Sequence, residues 1–137
     1  MSTTPERWSS PSNGTPGWIS IPANDVGRAK AFYHTAFGWQ FRDSPDPAYS
    51  SNEFVMFTTP TPILMGGIIK VDRSSAQKTA DGIIIYLRVD DIDDAFEKVK
   101  SAGGSVVEEK VAEGNHTLRG KIADTEGNVL GILQWLI

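Results

Sequence analysis

Metal binding and acid–base catalysis rely mainly on histidine, cysteine and carboxylate side chains. This chain has two histidines, His34 and His116, and no cysteine. The lack of cysteine excludes disulfide bonds and a cysteine nucleophile. His34 falls within a helical pattern, where a solvated surface position is expected. His116 falls in the polar segment EGNHT, where an ordinary loop residue is expected more often than a catalytic base.

The carboxylates are more numerous, but their spacing does not indicate a catalytic pair. Glu108 and Glu109 are adjacent in a strand-like segment, so their side chains point to opposite faces. The acidic run from Asp90 to Glu97 opens a helical pattern, where negative charge suits the helix dipole and a solvated face is expected. No glycine-rich loop leads into a helix with a lysine, as a phosphate-binding loop requires.

Length and composition are those of an ordinary globular domain. The chain has 137 residues, of which 39% are hydrophobic and 22% charged. Its net charge of −4 provides no basic patch for nucleic acid, and no apolar run approaches the roughly 20 residues of a membrane helix. Residues 1–17 are polar and lack the apolar core of a signal peptide, so we expect a flexible tail and a cytoplasmic protein.

The elements that would position a site form an internal repeat. At an offset of 66 residues, segment 18–41 aligns with segment 84–107. Two aspartates that are good helix N-caps, Asp25 and Asp91, coincide. An apolar stripe at helical spacing follows each aspartate. The glycines that would end these helices as left-handed caps also coincide, namely Gly38 and Gly103/Gly104.

Each copy continues with three further strands, so the predicted unit is βαβββ, present twice. The first strands are predicted at 18–22 and 83–89; the others are predicted at 39–43, 53–58 and 63–70, and at 105–110, 118–124 and 129–135. The predicted fold class is α+β, with a single domain over 18–137. It divides into module one (18–70), a polar linker (71–82) and module two (83–136). We expect a cupped, partly closed mixed sheet with the helices on its outer face.

This layout resembles the vicinal oxygen chelate superfamily, which includes glyoxalase, bleomycin-resistance proteins and extradiol dioxygenases. Three stretches carry the resemblance: NDVGRAKAFYHTAFGWQF, VDDIDDAFEKVKSAGG and DTEGNVLGILQ. Together with the repeat they span about residues 18–135. The resemblance implies the fold and a homodimer, but no single activity, because members of the superfamily catalyse different reactions.

In metal-dependent members of that superfamily, histidine, glutamate or glutamine side chains hold one divalent ion. They come from the first and fourth strands of each module. The resemblance places these positions at Trp18, Ile84, Gly131 and Gly66, or at Gly67 if the register shifts by one. None of these residues has an imidazole or carboxylate donor. We therefore expect no metal site and no cofactor.

Strand alternation predicts which side chains share the face of the missing donors. They are Trp18, Ser20, Leu64, Gly66, Ile68, Ile84, Tyr86, Arg88, Val129, Gly131, Leu133 and Trp135. The candidate ligand-binding residues among them are Trp18, Ser20, Gly66, Ile84, Tyr86, Gly131, Leu133 and Trp135. Two interpretations stay open. Either the large side chains fill the cavity as core, or the glycines keep it open and the two tryptophans stack on a flat ligand oriented by the Tyr86 hydroxyl.

Three functions are compatible with the sequence. The first is a metal-free, glyoxalase-like protein that binds a small apolar or aromatic molecule, with a lyase, isomerase or sequestration role and no assigned catalytic residue. The second is a metal-dependent lyase, isomerase or dioxygenase with donors from other positions, namely Glu53, His116, Asp124 or Glu126. The third is an interaction module with a filled cavity. The loop 44–51, with its two prolines, is a candidate lid.

Overall fold

The computed structural model describes residues 18–60, 65–72 and 83–136. The predicted tail (1–17), most of the predicted linker (71–82) and Leu64 lie outside the described residues. The elements in chain order are β1 (Ile19–Ala23), α1 (Val26–Phe37), β2 (Gln40–Asp43), β3 (Phe54–Thr58), β4 (Met65–Lys70), β5 (Tyr86–Arg88), α2 (Ile92–Ser101), β6 (Ser105–Glu113), β7 (Thr117–Ala123) and β8 (Val129–Trp135).

The strands form two four-stranded mixed sheets, one for each copy of the repeat. Their orders are β1-β4-β3-β2 and β5-β8-β7-β6. In each sheet the first strand of the copy runs parallel to the fourth, and the other pairs are antiparallel. Over the described ranges neither sheet closes into a barrel. The predicted α+β fold of two βαβββ modules is therefore confirmed.

Both helices begin at the predicted aspartates. The carboxylates of Asp25 and Asp91 each accept a hydrogen bond from the backbone N–H three residues later, at 3.0 and 2.9 Å. Helix α1 ends at Gly38, whose φ of 74° lies in the left-handed region that glycine adopts without strain. At the end of α2 the positive φ, 97°, belongs to Gly103. Neither described helix has the length and apolar character needed to span a bilayer.

One apolar core serves both modules. Each helix packs on one face of its own sheet, and the two helices contact each other. The core includes a stack in which the Trp39 ring lies between Tyr33 and Phe57, with centroid distances of 4.6 and 4.3 Å. All three rings are buried. The aromatic residues of the FYHTAFGW segment are therefore used for packing, and within the described ranges no helix covers the other face of either sheet.

Strand β4 differs from the predicted register by one residue. Ser20 of β1 pairs with Gly67, and Ile68 is fully buried against the helices. Gly66 lies on the same helix-side face, because a Cβ added there would come within 2.5 Å of the buried Phe57 ring. The prediction that Gly66 and Ile68 share the face of Ser20 is therefore wrong, and Gly67 holds that position. The segment around β4 is apolar on both faces, so alternation in the sequence does not fix its register.

A turn at residues 124–128, between β7 and β8, connects module two to module one. The Glu126 carboxylate accepts hydrogen bonds from the backbone N–H groups of Asn24 and Asp25, at 2.9 and 3.1 Å. It also forms a bidentate ion pair with the Arg28 guanidinium, with N···O distances of 2.6 and 3.0 Å. Burial acts to raise the pKa of Glu126, but these donors outweigh it and hold that pKa below its usual value.

Asp124 and Asn128 of the same turn also reach module one. The Tyr33 hydroxyl donates to Asp124 at 2.7 Å, and the Asn128 amide donates to the carbonyl of Pro22 at 2.9 Å. Burial, together with the adjacent Asp124 charge, raises the pKa of Tyr33 well above its usual value. Because the polar side chains of the turn are hydrogen-bonded across the junction, the two modules are fixed relative to each other.

Replacing Glu126 by glutamine should lower the free energy of unfolding by about 1–3 kcal/mol at neutral pH, because the Arg28 charge loses its buried partner. The folded-state pKa of Glu126 lies below the unfolded one. The ionised Glu126 carboxylate therefore contributes its full stabilisation above the pKa of the unfolded state. This stabilisation is lost as the pH falls through the pKa of the folded state. In urea unfolding between about pH 7 and pH 3, the free energy of unfolding should therefore fall less with decreasing pH for Glu126→Gln than for wild type.

The matched control is Glu97→Gln, which removes an exposed ion pair to Lys100 on α2. It should change the free energy of unfolding by less than about 0.5 kcal/mol. Equal effects of the two variants at neutral pH would show that the turn at residues 124–128 does not hold the modules together.

Candidate ligand-binding site

The sheet faces that point away from the helices carry most of the predicted site residues. The open face of the first sheet is named face A, and its residues are Trp18, Ser20, Pro22, Gln40, Arg42, Phe54, Met56, Thr58, Met65, Gly67 and Ile69. The open face of the second sheet is named face B, and its residues include Tyr86, Arg88, Glu108, Val111, Glu113, Thr117, Arg119, Lys121, Gly131, Leu133 and Trp135.

The structure places the predicted aromatic residues on these faces and leaves them partly in water. Trp18 is 46% exposed on face A, and Tyr86 and Trp135 are 38% and 53% exposed on face B. Ile84 precedes β5, which is shorter than predicted and begins at Tyr86. None of the cavities detected among the described residues is lined by Trp18 together with Trp135. Within one chain these residues therefore form open surfaces.

Gly131 makes room for an aromatic ring of the neighbouring strand. It pairs with Tyr86 of β5 on one side and with Lys121 of β7 on the other. A Cβ added to Gly131 would lie 2.3 Å from Cδ2 and 2.7 Å from Cγ of Tyr86, so the tyrosine ring lies directly over the glycine backbone. The missing side chain allows this close approach.

Gly67 is the equivalent glycine of face A. It lies between Ser20 and Met56, as Gly131 lies between Tyr86 and Lys121. A Cβ added to Gly67 would lie 2.5 Å from the Phe54 ring and 3.1 Å from the Trp18 indole. Both open faces therefore have a glycine covered by aromatic side chains at the same place in the repeat.

The residues at the family's metal positions do not fit a divalent metal ion. Trp18, Ile84, Gly131 and Gly67 offer neither imidazole nor carboxylate. Around them face B carries several basic side chains, and its Glu108 carboxylate forms an ion pair with Arg119 at 3.5 Å. Across the described ranges, no three histidine, cysteine or acidic side chains come close enough to hold an ion.

The alternative metal donors are also not brought together. Asp124 and Glu126 lie in the turn that connects the modules, where both carboxylates are hydrogen-bonded to other residues. His116 lies in the turn after β6, with Nδ1 2.8 Å from the Thr117 hydroxyl. Glu53 accepts a hydrogen bond from the backbone of its own turn at 3.2 Å.

A cavity of about 840 Å³ opens between the C-terminal end of α1 and the N-terminal end of α2, and Tyr86 and Arg88 of β5 also line it. His34 lines it, with Nδ1 3.0 Å from the carbonyl oxygen of Trp39. Four of the charged side chains there form ion pairs, Arg88 with Asp90 at 2.9 Å and Lys98 with Asp94 at 3.2 Å, and the Asp91 carboxylate caps α2. This cavity therefore offers fewer free groups than the open sheet faces.

Sequence reasoning missed the basic side chains of face B on β7. Arg119 and Lys121 alternate along the strand with Leu118, Gly120 and Ile122, which lie on the helix side. This alternation was visible in the segment TLRGKIA and is the signal that could have found them. The prediction considered only the first and fourth strands of each module.

The family model described as Glyoxalase/Bleomycin resistance protein/Dioxygenase superfamily matches residues 15–132. A glyoxylase-like domain-containing protein of Didymella fabae is 32% identical over 117 residues, which cover 83% of this chain and 88% of that protein. Putative glyoxylase CFP32 of Mycobacterium bovis is 29% identical over 125 residues. That match covers 88% of this chain but 46% of the relative, so this chain spans about half of its length.

Solved structures show the same fold. The fosfomycin resistance protein FosX of Listeria monocytogenes matches with a TM-score of 0.68 and 16% identity, covering 88% of this chain and 90% of that one. A glyoxalase/bleomycin resistance protein/dioxygenase family enzyme of Burkholderia phytofirmans matches with a TM-score of 0.66 and 19% identity, covering 88% and 98%. At these identities the likeness concerns the fold alone.

The contact between Tyr86 and Gly131 can be tested by a double-mutant cycle. Gly131→Ala should lower the free energy of unfolding by about 1–3 kcal/mol, because the new methyl group collides with the base of the Tyr86 ring. In a Tyr86→Ala background the same substitution should cost much less. Equal costs in the two backgrounds, measured by urea unfolding, would show that the ring does not occupy the space over Gly131.

Proposed function

Because the chain belongs to the glyoxalase/bleomycin resistance protein/dioxygenase superfamily, we propose that it binds a small apolar or aromatic molecule on faces A and B without a metal ion. The observation that carries the proposal is the set of exposed rings on these faces, Trp18, Tyr86 and Trp135. They lie on the strands from which metal-dependent members take their donors. Direct contact of these rings with an organic ligand replaces chelation in the proposed complex.

The Trp135 side chain is the principal stacking surface of face B. The Arg88 guanidinium lies 5.8 Å from its ring centroid, which supports the indole from one side as a cation–π contact. More than half of Trp135 remains exposed. An aromatic ligand stacked there gains about 1 kcal/mol beyond the apolar area it buries. Among the described residues the Tyr86 hydroxyl has no hydrogen-bond partner, so it is available to orient a polar atom of the ligand.

We propose no catalytic residue and no cofactor for this site. A lyase or isomerase reaction on these faces would use protein side chains alone, because the residues at the metal-donor positions cannot coordinate a metal ion. The metal-dependent alternative is disfavoured because Glu53, His116, Asp124 and Glu126 have separate locations and partners. A sequestration role, in which the protein binds a molecule and releases it unchanged, requires nothing further.

The proposed site is shared between two copies of the chain. Face A exposes Trp18, Met65 and Ile69, and face B exposes Tyr86 and Trp135. Open apolar surfaces of this kind mark interaction sites. If face A of one copy covers face B of its partner, a twofold axis generates two equal, enclosed sites. The homodimer would then supply the cup that a single chain leaves open.

Ligand binding can be measured with the neutral aromatic probe N-phenyl-1-naphthylamine. Its fluorescence should rise on binding, with the same dissociation constant in the presence and absence of EDTA. Trp135→Ala should weaken binding about five- to tenfold, and Trp135→Phe, which keeps a ring, should weaken it about twofold. Binding that requires a metal ion, or that ignores Trp135→Ala, would contradict the proposal.

Melting scans with Ni²⁺, Zn²⁺, Mn²⁺ and Fe²⁺ address the metal-dependent alternative. We expect no rise in melting temperature with any ion, because face B has basic side chains where a metal ion would need imidazole or carboxylate ligands. A rise of several degrees with one ion, or a stoichiometric metal in the purified protein, would overturn the metal-free assignment. Absence of any probe binding would favour an interaction module with a filled cavity.

Sedimentation velocity tests the shared site. The wild type should sediment as two chains, and Met65→Glu, which places a charge on face A, should sediment as one chain and bind the probe at least tenfold more weakly. A wild-type monomer that binds the probe with full affinity would show that one chain suffices.

A further inference from the structure

Lys121 is a partly buried cation without a counter-ion near the middle of face B. Most described basic side chains form ion pairs with carboxylates. Within the described ranges the exceptions are Lys30, Arg42 and Lys121. Lys30 and Arg42 are exposed to solvent, whereas Lys121 is partly buried. Among the described basic residues, Lys121 alone is therefore both partly buried and without an ion-pair partner.

The acidic groups of face B serve a different cation. Glu108 lies opposite Lys121 on β6, but its carboxylate is paired with Arg119 at 3.5 Å. Glu113 is also paired with Arg119, at 3.4 Å. Both carboxylates are therefore directed to Arg119, and within the described ranges neither forms an ion pair with the Lys121 ammonium.

Lys121 shares one row of the sheet with Gly131 and Tyr86. Gly131, the central position of this row, has no side chain and is covered by the Tyr86 ring, and Lys121 lies on the other side of it. Neither the Lys121 ammonium nor the Tyr86 hydroxyl has a partner among the described residues. A lysine stem is long and flexible, so its ammonium can reach an atom placed over the row. A cation removed from water gains when an anion supplies its missing partner.

From this arrangement we propose that Lys121 determines specificity by binding the anionic group of an aromatic ligand. This inference rests on the proposed function, in which faces A and B bind the ring. A strand rises about 3.3 Å per residue, so the backbone positions of Gly131 and Trp135 are about 13 Å apart. An anion at Lys121 and a ring at Trp135 therefore fit a ligand with two or more rings. Leu133, between them on the same face, provides an apolar contact along its length.

Two fluorescent probes with the same ring system isolate the charge. They are 8-anilinonaphthalene-1-sulfonate, an anion, and N-phenyl-1-naphthylamine, which lacks the sulfonate. The wild type should bind the anion at least tenfold more tightly. Lys121→Met should reduce the affinity for the anion about tenfold and leave the affinity for the neutral probe within a factor of two. Lys121→Arg should retain most of the preference for the anion.

Lys30→Met is the matched control, because it removes an exposed, unpaired lysine from α1, and it should leave both affinities unchanged. Salt provides a second measurement that needs no variant: in the wild type, 0.5 M NaCl should weaken binding of the anion and spare the neutral probe.

The outcomes separate the two proposals. If both probes bind with equal affinity and salt affects neither, the inference about Lys121 is wrong and the proposed function stands. If neither probe binds, the proposed function fails and takes the inference with it. An equal loss of both probes in Lys121→Met, with urea unfolding unchanged, would assign Lys121 an apolar packing role and also contradict the inference.

Discussion

Two buried carboxylates in one turn determine how the modules of this protein meet. Glu126 accepts hydrogen bonds from the backbone N–H groups at the start of α1 and from the Arg28 side chain, and Asp124 accepts one from the Tyr33 hydroxyl. Burying such charges is unfavourable unless their oxygens find donors, and here donors come from the opposite module. The arrangement is therefore favourable only when both modules are in place. It directs the helices to a common core and leaves the other face of each sheet open.

The same constraint bears on the chemistry of the site. Asp124 and Glu126, two of the alternative metal donors, belong to the segment DTEGN, which carries part of the family resemblance. In the structure both side chains lie at the junction of the modules, on the helix side of the sheets, and their oxygens are hydrogen-bonded there. On face B the carboxylates of Glu108 and Glu113 are paired with Arg119, and Tyr86, Lys121 and Trp135 are the side chains that the proposed organic anion would contact.

The helices and the succession of elements along the chain could be predicted from the sequence, because capping aspartates, helical apolar stripes and terminating glycines are local signals that occur twice at one spacing. The register of β4 could not, since its apolar residues lie on both faces and only pairing with β1 distinguishes Gly66 from Gly67. The residue that covers Gly131 could not be predicted from the sequence either. Tyr86 is 45 positions away in the sequence numbering and comes over the glycine only when β5 pairs with β8.

A crystal structure of the protein with 8-anilinonaphthalene-1-sulfonate tests the central claim most directly, namely that an organic ligand lies on face B where metal-dependent relatives hold an ion. We expect the rings along Leu133 and Trp135, the sulfonate within hydrogen-bond distance of the Lys121 ammonium, and face A of a second copy above them. A probe bound instead in the cavity between the ends of α1 and α2, or a metal ion bound between the open faces, would contradict it.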